Sequence, residues 1–274
     1  MQVPPGFASR EVDGAIVVGR NGLLDFLVGA GVARPRELAA ARPAAQQGRG
    51  RLGRLPLPPA GAALVRPLRR GGLLGKVVRH RSLDPWRAVA ELAVSAEAEA
   101  RGAAVLEVLA AVTRRRGLGY EHALVTREVE GACDLAQALA AAPCPARRAA
   151  ALVAAARAVR SLHDAGVDHV DLNLKNVLLL PGPRALVIDL DRCRIGREDL
   201  PWPRRRANLL RLLRSWHKLA AACGSAFPAR DPLCFAAAYA RGDRVLLRRL
   251  VDAGAGARFP LRRLLWSLRP PSPP

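Results

Sequence analysis

Two short runs, residues 162–176 and 187–191, constrain this chain more than any other part of it. The first reads Leu-His-Asp-Ala-Gly-Val-Asp-His-Val-Asp-Leu-Asn-Leu-Lys-Asn and the second Val-Ile-Asp-Leu-Asp. An Ala-rich helical stretch over residues 144–165 precedes them and closes on Gly166, a residue suited to a left-handed C-cap. The loop that follows carries His169, Asp171 and Asn176. Two apolar runs, 177–180 and 185–190, then flank Pro181-Gly182-Pro183 in the pattern of a hairpin, with Asp189 near the end of the second run. Phosphoryl transfer needs such parts. One carboxylate orients an attacking hydroxyl, and hard oxygen donors hold Mg2+ beside the phosphates. An isolated loop Asp or Asn is usually a cap; the ordered set between apolar strands points to a phosphotransferase loop.

The rest of the chain supplies two lobes around that loop. Its 274 residues suffice for two cores. Residues 1–45 read as strand and loop, and residues 52–57 and 62–65 as two further strands. A helix is expected from Pro85 to residue 101, capped by Asp84, and a strand at 120–129. After Leu200 the pattern is helical throughout. The expected class is α+β, with a small strand-rich lobe over residues 1–129 and a larger helical lobe over residues 130–274. The five cysteines are scattered without a Cys-x-x-Cys pair, which predicts buried reduced thiols rather than a zinc site or disulfides. No stretch reaches the length of a membrane span, and the N-terminus lacks the regions of a secretory signal, so a cytoplasmic location is expected.

The catalytic run resembles the protein-kinase loop His-Arg-Asp-x-x-x-x-Asn with its later Asp-Phe-Gly segment. More narrowly it resembles the bacterial lipopolysaccharide-core kinases that act on 3-deoxy-D-manno-octulosonic acid (Kdo), which carry Asp-Leu-Asn-x-x-Asn and Ile-Asp-Phe-Asp. Two outer stretches strengthen the likeness: Arg66-Pro67-Leu68-Arg69-Arg70-Gly71-Gly72, and Asn208-Leu209-Leu210-Arg211-Leu212-Leu213-Arg214-Ser215. The resemblance spans residues 48–218 and implies a protein-kinase-like two-lobed fold. It also implies ATP and Mg2+, with Asp171 as base, His169 bracing the loop, and Asn176 and Asp189 as metal ligands. Arg66 stands where Ala63-Leu64-Val65-Arg66 replaces Val-Ala-Ile-Lys, and is the expected phosphate-gripping cation, with Lys76 as its rival. Glu91 is its expected helix partner, with Glu97 and Glu99 as alternatives. Gly48, Gly50 and Gly53 fit G-x-G-x-x-G, which in so Gly-rich a region reads either as a phosphate loop or as a chance match.

Departures from the protein kinases narrow the acceptor. Val170 replaces the Arg that pairs with a phosphorylated activation loop, and no Ala-Pro-Glu segment follows, so the platform for a protein substrate is missing. The implied acceptor is the Kdo sugar of Kdo–lipid A, phosphorylated by resemblance on its 4-hydroxyl. Arg69 and Arg70 are candidates to meet its carboxylate. The formal net charge of +21 comes from 41 arginines and three lysines. It suits an anionic membrane surface on the cytoplasmic face of the inner membrane, which would be a peripheral attachment. Residues 204–219 read either as a core helix with a basic outer face or as a membrane-facing helix, and residues 258–269 are a second candidate surface. Few aromatics and no stacking motif argue against nucleic acid, and no obligate protein partner is evident. Other readings stay open: a heptose or other small-molecule kinase of the same fold, or a pseudokinase scaffold.

Overall fold

The computed structural model describes residues 2–44, 52–59, 61–68, 82–142, 144–223, 228 and 230–255. In the first lobe, β1 (Phe7–Val12), β2 (Ala15–Arg20), β3 (Gly53–Pro56), β4 (Ala62–Pro67), β5 (Val108–Arg116) and β6 (Gly119–Arg127) form one sheet in the order β1-β2-β5-β6-β4-β3. Every neighbouring pair is antiparallel.

The two-residue period of a strand decides which side chain meets which layer. In β4, Ala63 and Val65 are buried on the side filled by Leu24 and Leu27 of α1 (Leu24–Gly29) and Leu38 of α2 (Pro35–Ala41). Leu64 and Arg66 therefore turn to the other face, where α3 (Arg87–Ala100) packs Ala88, Val89 and Leu92 against Ala111 and Leu124.

Two local expectations are corrected here, and one strand went unread. Residues 24–41 coil into α1 and α2 rather than strand and loop. Neither helix has a side-chain cap, and burial of their leucines under the sheet holds them. Helix α3 starts at Arg87, because the Asp84 carboxylate accepts the Trp86 N–H at 2.9 Å and keeps residues 84–86 in a turn. Residues 108–113 form most of β5, a central strand buried on both faces, so its apolar run shows no alternation to read.

The second lobe is built around α5 (Pro145–Asp164). It includes β7 (Cys133–Asp134), α4 (Leu135–Ala141), β8 (Val167–Asp168), β9 (Val177–Leu179), β10 (Ala185–Val187), β11 (Arg194–Ile195), α6 (Trp202–Cys223), α7 (Arg230–Ala240) and α8 (Arg244–Ala255). Strands β10, β9 and β7 make a small sheet against α4 and α5, and β11 pairs with β8. Ala154, Ala155, Ala156 and Ala158 let α5 lie close to its neighbours, and Leu152, Val159 and Leu162 join the same core. A reciprocal capping box between Asp134 and Gln137 starts α4.

The segment joining α3 to β5 stitches the lobes together. Val105 bridges Val187 of β10 in parallel, Val187 N–H donates to the Ala104 carbonyl at 2.8 Å, and Leu106 N–H donates to the Val187 carbonyl at 3.2 Å. Arg101 reaches over to the Ala165 and Gly196 carbonyls.

Of the cysteines whose surroundings are described, only Cys193 is buried, and burial pushes its thiol up to about 12. Cys144 is exposed because it stands at the N-cap of α5, which corrects the uniform buried-thiol expectation. Among the described residues no helix is long and apolar enough to cross a membrane.

Candidate active site

The loop between α5 and β9 is pinned from its first residue. Gly166 adopts φ 84°, and a Cβ there would meet the Glu198 carbonyl oxygen at 2.3 Å, so the turn out of α5 requires glycine. His169 follows, buried. Its Nδ1 accepts the Asp171 N–H at 3.3 Å, which leaves Nε2–H to donate to the Ile188 carbonyl at 3.1 Å. One neutral tautomer thus ties the loop to the segment that carries Asp189, and burial holds the imidazole below its usual pKa.

Asn176 sits in a single 3-10 turn, Leu174–Asn176. Its amide Nδ2 donates to the Asp171 carbonyl at 2.9 Å, and its own carbonyl accepts the Ile188 N–H at 3.0 Å. With Nδ2 committed, the side-chain acceptor that remains is Oδ1. The Val177–Val187 pairing brings Asn176 beside Ile188 and Asp189 at one end of the hairpin. Asp189 adopts φ 66°, a left-handed conformation that an Asp tolerates better than most residues and that turns it out of line with β10.

Arg66 arrives from the sheet above and bridges two carboxylates. Its Nη1 donates to Asp189 Oδ1 at 3.1 Å and its Nη2 to Glu91 Oε1 at 2.9 Å. Burial would lower the guanidinium pKa, but Glu91 and Asp189 outweigh it and the net shift is upward. Burial pushes the Glu91 carboxyl up to about 7, against the opposing pull of Arg66. Of the three candidate helix carboxylates only Glu91 meets Arg66: Glu97 pairs with Arg101 at 2.7 Å, and Glu99 with Arg20.

Sequence reasoning missed several supports. Arg87, one helical turn before Glu91, grips Asp191 with two bonds of 3.0 and 2.7 Å, and so fixes the turn two residues beyond Asp189. From α6, Asn208 Oδ1 accepts the His169 N–H at 2.8 Å while its Nδ2 donates to Asp168 Oδ1 at 2.7 Å. Two turns later Ser215 Oγ accepts the Leu174 N–H at 3.0 Å. Both residues belong to the quoted Asn-Leu-x-Arg-Leu-x-Arg-Ser stretch, which marked the helix without disclosing what it holds. With Leu212 and Trp216 in the core and Arg205 buried on the Leu200 carbonyl, Asp164 and Asp199, α6 is a core helix; the membrane-facing reading of it is set aside.

Gly53 does not serve the cleft. A Cβ at Gly53 would lie 2.6 Å from Leu38 Cδ2 and 3.1 Å from Ala39 Cα, so its bare Cα makes room for α2 on the opposite face of the sheet. Gly48, Gly50, Arg69, Arg70 and Lys76 lie outside the described residues, as does the 258–269 stretch. The Glu128 side chain is bound to Arg54 at 2.7 Å, and its N–H to the Ala62 carbonyl, so neither addresses the cleft.

Between the sheet and the β9–β10 hairpin lies an apolar cavity walled by Leu64, Val105, Leu124, Val129, Leu178 and Val187 and opening onto Arg66, Glu91 and Asp189. An apolar slot with charged groups at one end suits a flat base with a polyanionic tail. Asn176 Oδ1 and the Asp189 carboxylate are hard oxygen donors of the kind Mg2+ takes. Among the described residues no cluster of three or more His, Cys, Asp or Glu could form an all-protein metal cage. Two protein donors suit a magnesium ion that draws its other ligands from phosphate and water.

The sequence profile of the lipopolysaccharide kinase (Kdo/WaaP) family matches residues 47–239, a span that holds every residue of this cleft. The chain belongs to that family. Curated relatives named 3-deoxy-D-manno-octulosonic acid kinase include one from Vibrio parahaemolyticus, 33% identical over 160 residues, covering 57% of this chain and 65% of the relative. Another, from Stenotrophomonas maltophilia, is 35% identical over 184 residues, covering 65% of this chain and 71% of the relative. The chain thus spans about two thirds of the length of the curated relatives it matches. A solved structure described as WaaP in complex with acyl carrier protein is 23% identical, with a TM-score of 0.49 over 87% of this chain and 98% of that one. Within the lipopolysaccharide kinase family, the two-lobed α+β architecture here is kinase-like: a sheet that bears a cation paired to a helix carboxylate faces a helical lobe that bears the acidic loop.

Proposed function

We propose that this chain is an ATP-dependent kinase that phosphorylates the Kdo sugar of Kdo–lipid A, on the 4-hydroxyl, in lipopolysaccharide core biosynthesis. One observation carries the reading: Asn176, Asp189 and the Arg66–Glu91 pair converge on one cleft, beside a loop that leaves Asp171 exposed. In this reading the base of ATP enters the apolar cavity and Arg66 meets its phosphates. Asn176 and Asp189 would hold Mg2+, which when bound would neutralise phosphate charge. Asp171 accepts the proton of the acceptor hydroxyl, and His169 keeps the loop in register with Asp189. Gly48 and Gly50 would cover the phosphates, and Arg69 and Arg70, which come one residue after β4 in the chain, would bind the sugar acid as forks. The acceptor is embedded in a bilayer, so the enzyme works as a peripheral protein on the cytoplasmic face of the inner membrane. Residues 1–129 would form the nucleotide lobe and residues 130–274 the catalytic lobe.

The test is Asp171→Ala, assayed for transfer of labelled phosphate from ATP to Kdo–lipid A. Turnover should fall by about a hundredfold or more, with the far-ultraviolet circular dichroism unchanged. Retained turnover would remove Asp171 from the chemistry. Phosphorylation by the unaltered chain of a heptose acceptor but not of Kdo–lipid A would move the substrate assignment to another sugar.

A further inference from the structure

Three large apolar side chains stand in solvent along one edge of the first lobe. Leu118, in the turn between β5 and β6, is 95% exposed, Leu83 is 74% exposed and Trp86 is 42% exposed. They adjoin. Ser82 and Tyr120 exchange both backbone hydrogen bonds at 2.8 Å, and that antiparallel register sets Leu83 across from Gly119, next to Leu118. Trp86 is the N-cap of α3, three residues beyond Leu83.

The surrounding charge is positive. Arg114, Arg115 and Arg116 lead into the turn, and the last two are exposed. Two acids stand nearby, against three consecutive arginines: Glu121 lies between Arg36 at 3.1 Å and Arg116 at 3.7 Å, and the exposed Asp84 carboxylate accepts the Trp86 N–H. Single exposed apolar residues are ordinary on a protein surface. An apolar wedge of Leu and Trp rimmed by arginines is the composition of a surface that sits in the headgroup layer of an anionic membrane.

One end of the patch joins the cleft. The residue after Trp86 is Arg87, whose guanidinium holds Asp191, two residues from Asp189. We propose that Leu83, Trp86 and Leu118, with Arg114, Arg115 and Arg116, form the face that docks on an anionic bilayer and presents the cleft to a lipid-borne acceptor. This rests on the lipid-linked acceptor proposed above and assigns the membrane face that the charge alone leaves open. Helix α6 is less suited to that role, since Leu212 and Trp216 are buried in the core and Leu209 and Leu219 pack against it.

The experiment is co-sedimentation of the full chain with phosphatidylcholine vesicles, with and without phosphatidylglycerol. The unaltered chain should bind the anionic vesicles preferentially. Trp86→Ser combined with Leu118→Ser, and separately Arg115→Ala, should weaken that binding, the double variant by about tenfold or more. Phosphorylation of a water-soluble, deacylated Kdo acceptor should be unchanged in both, while that of the bilayer-borne acceptor falls. Full vesicle affinity in the double variant would overturn the proposal. So would loss of binding in Leu264→Ser combined with Leu265→Ser while the double variant still binds. If the vesicle results are as expected but no Kdo acceptor is phosphorylated even by the unaltered chain, the kinase reading fails and the docking face stands.

Discussion

Arg66 shows how far single residues could be read in advance. Its place at the end of Ala63-Leu64-Val65-Arg66 already implied a strand cation, and the strand period puts it on the α3 face. Its expected partner was Glu91, with Glu97 and Glu99 as alternatives. The rotation of α3 chose Glu91 and sent Glu97 and Glu99 to Arg101 and Arg20. Elsewhere a buried residue sets a pH limit that no motif announces. Burial, reinforced by Arg205, pushes His163 down to about 3 from its ordinary 6.5, and its Nδ1 meets the Tyr239 hydroxyl at 2.8 Å. The unfolded chain takes up a proton at His163 near 6.5, whereas the folded chain resists until about 3. Stability from this site is therefore complete above 6.5 and is lost progressively as pH falls through that window. Urea unfolding at about pH 7 and about pH 5 should show a smaller loss on acidification in His163→Gln than in the unaltered chain. An equal loss in both would show that another group carries the acid sensitivity.

Helix α6 holds the loop that carries Asp171 without touching the cleft. Asn208 and Ser215, two turns apart on one face, hold the backbone N–H groups of His169 and Leu174 on either side of Asp171. The helix itself was legible from its apolar spacing; its grip on the loop was not, because a hydrogen bond to a distant backbone leaves no trace in periodicity. An amide is required at Asn208, which accepts from one neighbour and donates to the Asp168 carboxylate. Asn208→Asp should set two carboxylates against each other and lower kcat about tenfold to a hundredfold, with KM for ATP little changed. Adding Asp168→Asn exchanges donor and acceptor and should restore most of the loss. Steady-state kinetics of the two single variants and the pair decide it, and absence of rescue would reduce Asn208 to a packing role. Helices α1 and α2 show the opposite limit of legibility, since burial under the sheet creates them and local sequence barely signals them.

At the scale of the whole molecule, the cleft exists because residues 104–106 pair with Val187 and lock the sheet over the β9–β10 hairpin. A ligand that fills the cavity and meets Arg66 and Asp189 touches both lobes, so it should stabilise both. Mg-ATP at about ten times its dissociation constant should raise the melting temperature by about 3–5 °C. No shift at any millimolar concentration would favour a scaffold that has lost nucleotide binding.

The spacing of Asp171, Asn176 and Asp189, the glycine that ends α5 and the Pro181-Gly182-Pro183 turn signal were enough to mark the loop and hairpin on which the proposed chemistry rests, because loop chemistry and turn geometry are local. The Arg87–Asp191 fork, the α6 clamp and the exposed Leu83–Trp86–Leu118 edge emerged only once the chain was folded. Each joins residues distant in sequence or depends on which face of an element is left uncovered. Such relations are set by how helices and strands pack, and linear order does not record them.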